Sequence, residues 1–206
     1  MCEIISINLA VEDQLSETVL RKILEQSSRK YFVGACFGKI GKSYLEKRIN
    51  DFNNAAKGTS FIVLTDLDRI ECAPILVKKW LREEKHSNLI FRVAVKEVES
   101  WVIADRISFA KFLGITSRLI PSNPDELDDP KQVLINLANR SRKRYLREAL
   151  VPQMGSTAKI GPDYNSKLGE FVQSYWNLHN AINYSPSLRR IYETVDSFSP
   201  KYILNE

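Results

Sequence analysis

Three apolar runs in this chain end in carboxylates, and those acids are the residues best placed to do chemistry. The run Ile4 to Val11 closes on Glu12 and Asp13. The run FIVLT (61–65) closes on Asp66 and, one residue further, Asp68. NLIFRVAV (88–95) is followed by Glu97 and Glu99. Ligands of an open parallel sheet gather outside the C-terminal ends of its strands. Carboxylates brought there from distant parts of a chain repel one another unless a cation lies among them. Oxygen ligands without histidine or cysteine suit a hard ion, Mg²⁺ or Mn²⁺. Glu12, Asp66, Asp68, Glu97 and Glu99 are therefore candidate metal ligands, with Glu97 nearer its strand end than Glu99. Each acid also has a structural reading. Asp13 can cap the first helix, Asp68 can pair with Arg69 or cap a helix starting at 73, and Glu99 can sit on a solvated helix face.

The basic residues supply a second set of candidates. GKIGKS (38–43) meets the end of the phosphate-loop pattern G-x4-G-K-[ST], but Cys36 stands where its first glycine belongs. That glycine permits the tight backbone nest around a phosphate. The stretch is read instead as a basic turn before a helix, with Lys39 and Lys42 as possible phosphate contacts. NRSRKRYLREAL (139–150) carries Arg140, Arg142, Lys143, Arg144 and Arg147 against one acid, Glu148. Most such stretches are solvated helix faces. Beside an acidic metal cluster, a cationic surface is also what nucleic-acid backbone binding requires, which makes Arg140, Arg142, Lys143 and Arg144 candidate contacts. The glycine-bounded loop GSTAKIGPDYN (155–165) can offer backbone N–H groups and the Lys159 ammonium to a phosphate. Its alternative is a surface connection turning at Gly161-Pro162.

The elements that must position these residues follow from periodicity. DQLSETVLRKILEQSSRK repeats Leu15, Val19, Ile23 and Leu24 at helical spacing. YFVGACF (31–37) reads as a strand, and YLEKRINDFNNAAK (44–57) as a helix with Leu45, Ile49 and Phe52 on one side. APILVKKWLREEK (73–85) reads as a helix with Ile75, Leu76 and Trp80 inward. The resulting βαβαβαβ order implies a three-layer α/β fold with a mainly parallel four-stranded sheet. Beyond Glu97 the pattern is helical. EVESWVIAD, RISFAKFLG and DPKQVLINLANRSRKRYLREAL are predicted helices, as are 166–183 and 187–198. This divides the chain into an α/β core over 1–105 and a helical extension over 106–206 that packs on it and completes the site. Trp101, Val102 and Ile103 are predicted core, and Asp105 a cap of the following helix.

Composition bounds the function classes. The chain has 206 residues, 44% of them apolar and 27% charged, which suits a globular domain with a sizeable core. Its net charge of +5 is compatible with a polyanionic partner. No apolar run approaches the roughly 20 residues that span a bilayer, and the N-terminus lacks the basic start of a signal peptide. Cys2, Cys36 and Cys72 are scattered, and the histidines are His86 and His179, so neither a zinc site nor a disulfide framework is expected. A reducing cytoplasm is the expected compartment.

A strand ending in glutamate, followed by a later strand ending D-x-D, resembles the TOPRIM fold of topoisomerases, primases, ribonuclease-maturation enzymes and overcoming-lysogenization-defect (OLD) nucleases. On that match Glu12 takes the place of the TOPRIM glutamate, and Asp66 and Asp68 the D-x-D positions. The chain departs from the family in carrying VED where members often have VEG. LTDLDR, FRVAVKEVESWVIADR, the FLGI…NPDEL…DPK run, LVPQMGSTAKIGPDYN and SPSL are similar to a TOPRIM-like bacterial family commonly encoded beside an ABC/SMC-type ATPase. The resemblance implies metal-dependent phosphodiester cleavage, DNA favoured over RNA, with Mg²⁺ or Mn²⁺ as cofactor. Glu12 would be metal ligand or general base, Asp66 and Asp68 metal ligands, and Glu97 and Glu99 a second metal site. Lys159 would stabilise the pentavalent phosphate. A partner ATPase and a role in antiviral defence are implied with it, as is the alternative of a catalytically silent module regulating that ATPase. A homodimer is one option for its assembly.

Overall fold

The seven alternating elements of the first half form as the periodicity predicts. A computed structural model of the chain describes residues 4–201; Cys2 lies outside them. Strands β1 (Ile4–Val11), β2 (Lys30–Gly38), β3 (Ser60–Asp66) and β4 (Leu89–Ala94) alternate with helices α1 (Gln14–Glu25), α2 (Lys42–Ala55) and α3 (Ala73–Trp80). All three strand pairings are parallel, and the order across the sheet is β2-β1-β3-β4. The chain thus winds to one side of β1 to make β2, then crosses back to make β3 and β4. The switch point lies between β1 and β3, where the crevice of such sheets opens.

Each sheet face is covered. Ile5, Ile7, Leu9 and Val11 of β1 pack with Leu15, Val19, Leu20 and Ile23 of α1 on one side. Phe61 and Val63 of β3 pack with Leu45, Ile49 and Phe52 of α2 and with Leu76 and Trp80 of α3 on the other. Complete burial of one such aliphatic or phenyl side chain stabilises the fold by roughly 1.5–3 kcal/mol. All seven residues of β3 are buried because it has a strand on each edge and helices on both faces, which is why its sequence shows no alternation. β2 lies at the sheet edge and alternates instead between half-buried and exposed positions.

The second half is helical: α4 (Val98–Ala104), α5 (Arg106–Leu113), α6 (Pro130–Asn139), α7 (Arg144–Leu150), α8 (Tyr164–Ser174), α9 (Leu178–Ala181) and α10 (Pro186–Ser197). Every residue of α4 is buried, Trp101, Val102 and Ile103 among them. The core on the α1 side of the sheet runs without a break through Trp101, Phe109, Phe171, Trp176 and Leu188. Polar groups pin α4 inside this core. Trp101 Nε1 donates to Ser187 Oγ at 2.6 Å, and Trp176 Nε1 donates to the Trp101 carbonyl at 3.0 Å. Asp105 caps α5 by accepting from Ser108 N, and its other oxygen accepts from Asn177 N at 2.8 Å. No helix among the described residues is long and apolar enough to cross a membrane.

Three predicted helices are shorter than their patterns. α3 stops at Trp80 because α2 side chains capture the chain beyond it. Asn50 bonds the Trp80 carbonyl and Arg82 N, and Asn53 bonds the Glu84 carbonyl and His86 N. Ile75 faces outward at 44% exposure, leaving Leu76 and Trp80 as the inward residues. The predicted helix over 129–150 breaks at Arg140–Lys143, where buried Ser141 donates to the Leu113 carbonyl at 2.5 Å and accepts from Lys143 N. A serine bonded to nearby backbone competes with helix continuation. The helix predicted over 166–183 parts into α8 and α9 where Asp105 takes Asn177 N.

Candidate functional site

Glu12 and Asp66 meet at the C-terminal ends of β1 and β3, at the switch point of the sheet. Glu12 Oε1 accepts from the Thr65 hydroxyl and from Asp66 N, the latter at 2.8 Å. Asp66 Oδ1 accepts from Val98 N, the first amide of α4, at 3.0 Å. One oxygen of each carboxylate is thus fixed by protein donors. The other, Glu12 Oε2 or Asp66 Oδ2, has no hydrogen-bond partner among the described residues. Asp66 is only 8% exposed. Burial pushes its carboxyl well above the usual range, and the charges of Glu12, Glu99, Asp13 and Asp68 push it further. Burial also raises Glu12, opposed by the Thr65 and Asp66 hydrogen bonds and the nearby Lys42 ammonium. The fold has gathered negative charge where little water reaches it.

Asp68 stands apart from that pair. Its φ of 52° is in the left-handed region, and its amide and that of Leu67 both donate to the Lys96 carbonyl. This turn aims the carboxylate outward, 43% exposed, onto Lys42 Nζ at 2.6 Å. Neither expected alternative for Asp68, a pair with Arg69 or a cap of α3, is what forms. Lys42 also donates to the Asp66 carbonyl. The GKIGKS turn that carries Lys42 is tied down by its own backbone: Lys39 N donates to the Val11 carbonyl and Gly41 N to the Glu12 carbonyl, each at 2.9 Å. Gly38 has a φ of 92°, and a Cβ there would meet the Val11 carbonyl oxygen at 2.2 Å. Amides committed in this way do not form a phosphate nest. Lys39 pairs with Glu17 at 3.0 Å rather than standing free. Asp13 takes its structural role, capping α1 by accepting from Ser16 N at 2.8 Å.

Glu97 and Glu99 form the third part of the site, and Lys131 joins them. Glu97 Oε2 accepts from Lys131 N at 3.1 Å. Lys131 Nζ lies 3.3 Å from Glu99 Oε1 and 3.9 Å from Glu97 Oε1. The Tyr164 hydroxyl donates to Glu99 Oε1 at 3.1 Å. Glu99 is 3% exposed, which excludes the solvated-face reading. Burial raises both carboxyls, and the Lys131 charge draws them back. Burial opposes the Lys131 charge, but Glu99, Glu97 and Asp66 outweigh it and hold the ammonium protonated. Sequence reasoning missed Lys131 and Tyr164 as site residues. A signal for Lys131 exists: it is the second residue of α6, where the helix dipole disfavours a cation and an acidic partner must compensate.

The remaining candidates lie elsewhere on the surface. Lys159 is exposed, and its side chain makes no hydrogen bond or ion pair among the described residues. At the base of its loop Gly161 N donates to the Leu150 carbonyl, three residues before Tyr164, whose hydroxyl bonds Glu99. Arg140 and Arg142 are exposed in the turn between α6 and α7. Arg144 pairs with Glu148 at 2.6 Å, and Lys143 lies over the Phe112 ring.

No protein-family model, curated protein or solved structure matches the chain.

Among the described residues, no three His, Cys, Asp or Glu side chains converge closely enough to form a metal-binding group. Mg²⁺ commonly needs fewer: it keeps several waters and binds through one or two carboxylates plus substrate phosphate. Glu12 and Asp66 fit that mode. They are adjacent, oxygen-only donors with raised pKa values, and each has one oxygen fixed and one open. Asp68, Glu97 and Glu99 fit it less well, because each is already engaged by an ammonium.

Proposed function

We propose that this chain is a metal-dependent nuclease of TOPRIM type. It would hydrolyse phosphodiesters with Mg²⁺ or Mn²⁺, DNA favoured over RNA, as the effector of an anti-phage system coupled to an ABC/SMC-type ATPase. The observation that carries this reading is the Glu12–Asp66 pair at the β1/β3 switch point, where Asp66 is buried among other acids and neither carboxylate has an ammonium bonded to it among the described residues. A divalent ion held by Glu12 and Asp66 would stabilise charge on the leaving oxygen and make a bound water more acidic. Thr65 and the Asp66 amide keep the Glu12 carboxylate in one orientation, so its open oxygen can hold the ion or accept a proton. Lys42 fixes Asp68 at the rim and sets a positive charge beside the entry for a phosphate. Arg140 and Arg142 offer exposed guanidinium groups to the backbone further along a strand. Free Cys36 and Cys72 suit a reducing cytoplasm.

The rival reading, a silent module that binds and regulates the ATPase, has one observation in its favour. Three of the five candidate acids already carry a protein ammonium. Plasmid nicking separates the two. Supercoiled DNA with Mn²⁺ or Mg²⁺ is expected to be nicked by wild type and not by Asp66→Ala. Cleavage that survives chelation or the substitution would overturn the active-site assignment. Absence of cleavage even with a partner ATPase present would favour the regulatory reading.

A further inference from the structure

The acids at this sheet edge divide into two groups with different electrostatics. Glu12 and Asp66 have no ammonium bonded to their carboxylates, and each keeps an open oxygen. Glu97 and Glu99 share Lys131, whose Nζ lies 3.3 Å from Glu99 and 3.9 Å from Glu97. The enclosure of Lys131 is built from several elements. Its own amide donates to Glu97, Tyr164 closes on Glu99 from α8, and Asp129 caps α6 by accepting from Gln132 N. The Lys131 side chain is 34% exposed and the Glu99 side chain 4%.

We propose that Lys131 is a built-in cation standing where a second divalent ion would otherwise bind. The site then takes one metal ion, at Glu12 and Asp66, while Glu97 and Glu99 serve to hold the ammonium. This rests on the metal-dependent reading above and sharpens it from an undefined number of ions to one. A second ion would have to expel Lys131 from between two carboxylates. It would also leave the ammonium without the partners that keep it charged in a half-buried position. Removing one member of such a pair is strongly unfavourable because the other charge is left buried and unpaired. The arrangement further places a permanent positive charge near Asp66, where a bound phosphate would approach. Lys131 is on this view a positioning residue with a fixed charge.

The test counts Mn²⁺ bound per folded chain, by electron paramagnetic resonance of the free ion during titration. Wild type is expected to bind one ion, Asp66→Asn none, and Glu99→Gln still one. Lys131→Met is expected to bind two, because Glu97 and Glu99 then have no cation of their own. A lysine that merely stabilises the fold would not raise the count. Two ions on wild type, loss of the ion in Glu99→Gln, or one ion on folded Lys131→Met would each overturn the inference while leaving a metal-dependent enzyme intact. No ion on wild type would overturn both. Should Lys131→Met fail to fold, Lys131→Gln, which removes the charge but keeps a polar end, is counted in its place with the same two outcomes.

Discussion

At the scale of single residues, the site is a balance between buried negative charge and the few groups that answer it. Asp66 makes the sharpest case, since the groups around it that raise its pKa are burial and other acids. A carboxyl whose folded pKa lies above its unfolded value binds its proton more tightly in the fold. Its stabilising contribution is therefore present below the unfolded value and is lost as pH rises through the raised folded value. Asparagine at this position can still accept from Val98 N and carries no charge. In a chelating buffer Asp66→Asn is expected to melt above wild type at neutral and alkaline pH and to lose that advantage only as the pH falls to the ordinary aspartate range, about pH 4. In a chain of this length each 1 kcal/mol relieved raises Tm by about 2–4 °C. Mg²⁺ should raise the melting temperature of wild type and leave that of the variant unchanged. A variant less stable than wild type by the same margin across that range would show that the charge at Asp66 is not what strains the site. Asp66 and Glu12 were legible in the sequence because each ends a β-type run that has no need of a charge. Tyr164 was not, because a tyrosine after a loop carries no periodic signal, and Lys131 offered only the weak sign of a cation in the first turn of a helix, which names no partner.

At the scale of elements, loop bases and helix breaks decide what reaches the acids. Four strands and three helices could be read from apolar spacing, since face periodicity survives in a single sequence. Strand order could not, because periodicity says which face a residue takes and not which strand lies beside it. The order β2-β1-β3-β4 is what makes Glu12 and Asp66 neighbours. Helix ends were misread where a distant side chain intervened, as Asn50 and Asn53 do beyond α3 and Ser141 does between α6 and α7. Gly161 tests this scale. It sits where the Lys159 loop returns to the core, and a Cβ there would meet the Ala149 carbonyl oxygen at 2.2 Å. Gly161→Ala must push the loop base off α7 and shift Tyr164, three residues on, away from Glu99. Hydrogen exchange is expected to rise in 158–165, with a loss of stability in the range of about 1–3 kcal/mol typical of overpacking. Unchanged exchange at Tyr164 would show that the loop base does not set the position of its hydroxyl.

At the scale of the whole molecule, the question is whether the α/β half and the helical half are separable. The sequence marks a change of pattern near Asp105, where strands give way to helices. The packing does not stop there. The face of the sheet covered by α1 shares one apolar core with α4, α5, α8 and α10. Trp101 and Trp176, both fully buried, come from opposite sides of that point and are joined by a hydrogen bond. Asp105 itself is buried and bonded to both Ser108 and Asn177. The site repeats the same dependence, for Glu99 on α4 is held by Lys131 from α6 and Tyr164 from α8. A fragment ending at Asp105 would expose most of the α4 surface and leave Glu99 without either partner. Removing an aromatic side chain from such a core typically costs about 3–5 kcal/mol, and the truncation removes the partners of several at once. Residues 1–105 alone are therefore expected to lack cooperative thermal unfolding, while the full chain unfolds in one transition with tryptophan fluorescence and far-ultraviolet dichroism coincident. A fragment 1–105 with its own sharp transition, or two separated transitions in the full chain, would show that the core divides where the sequence pattern changes.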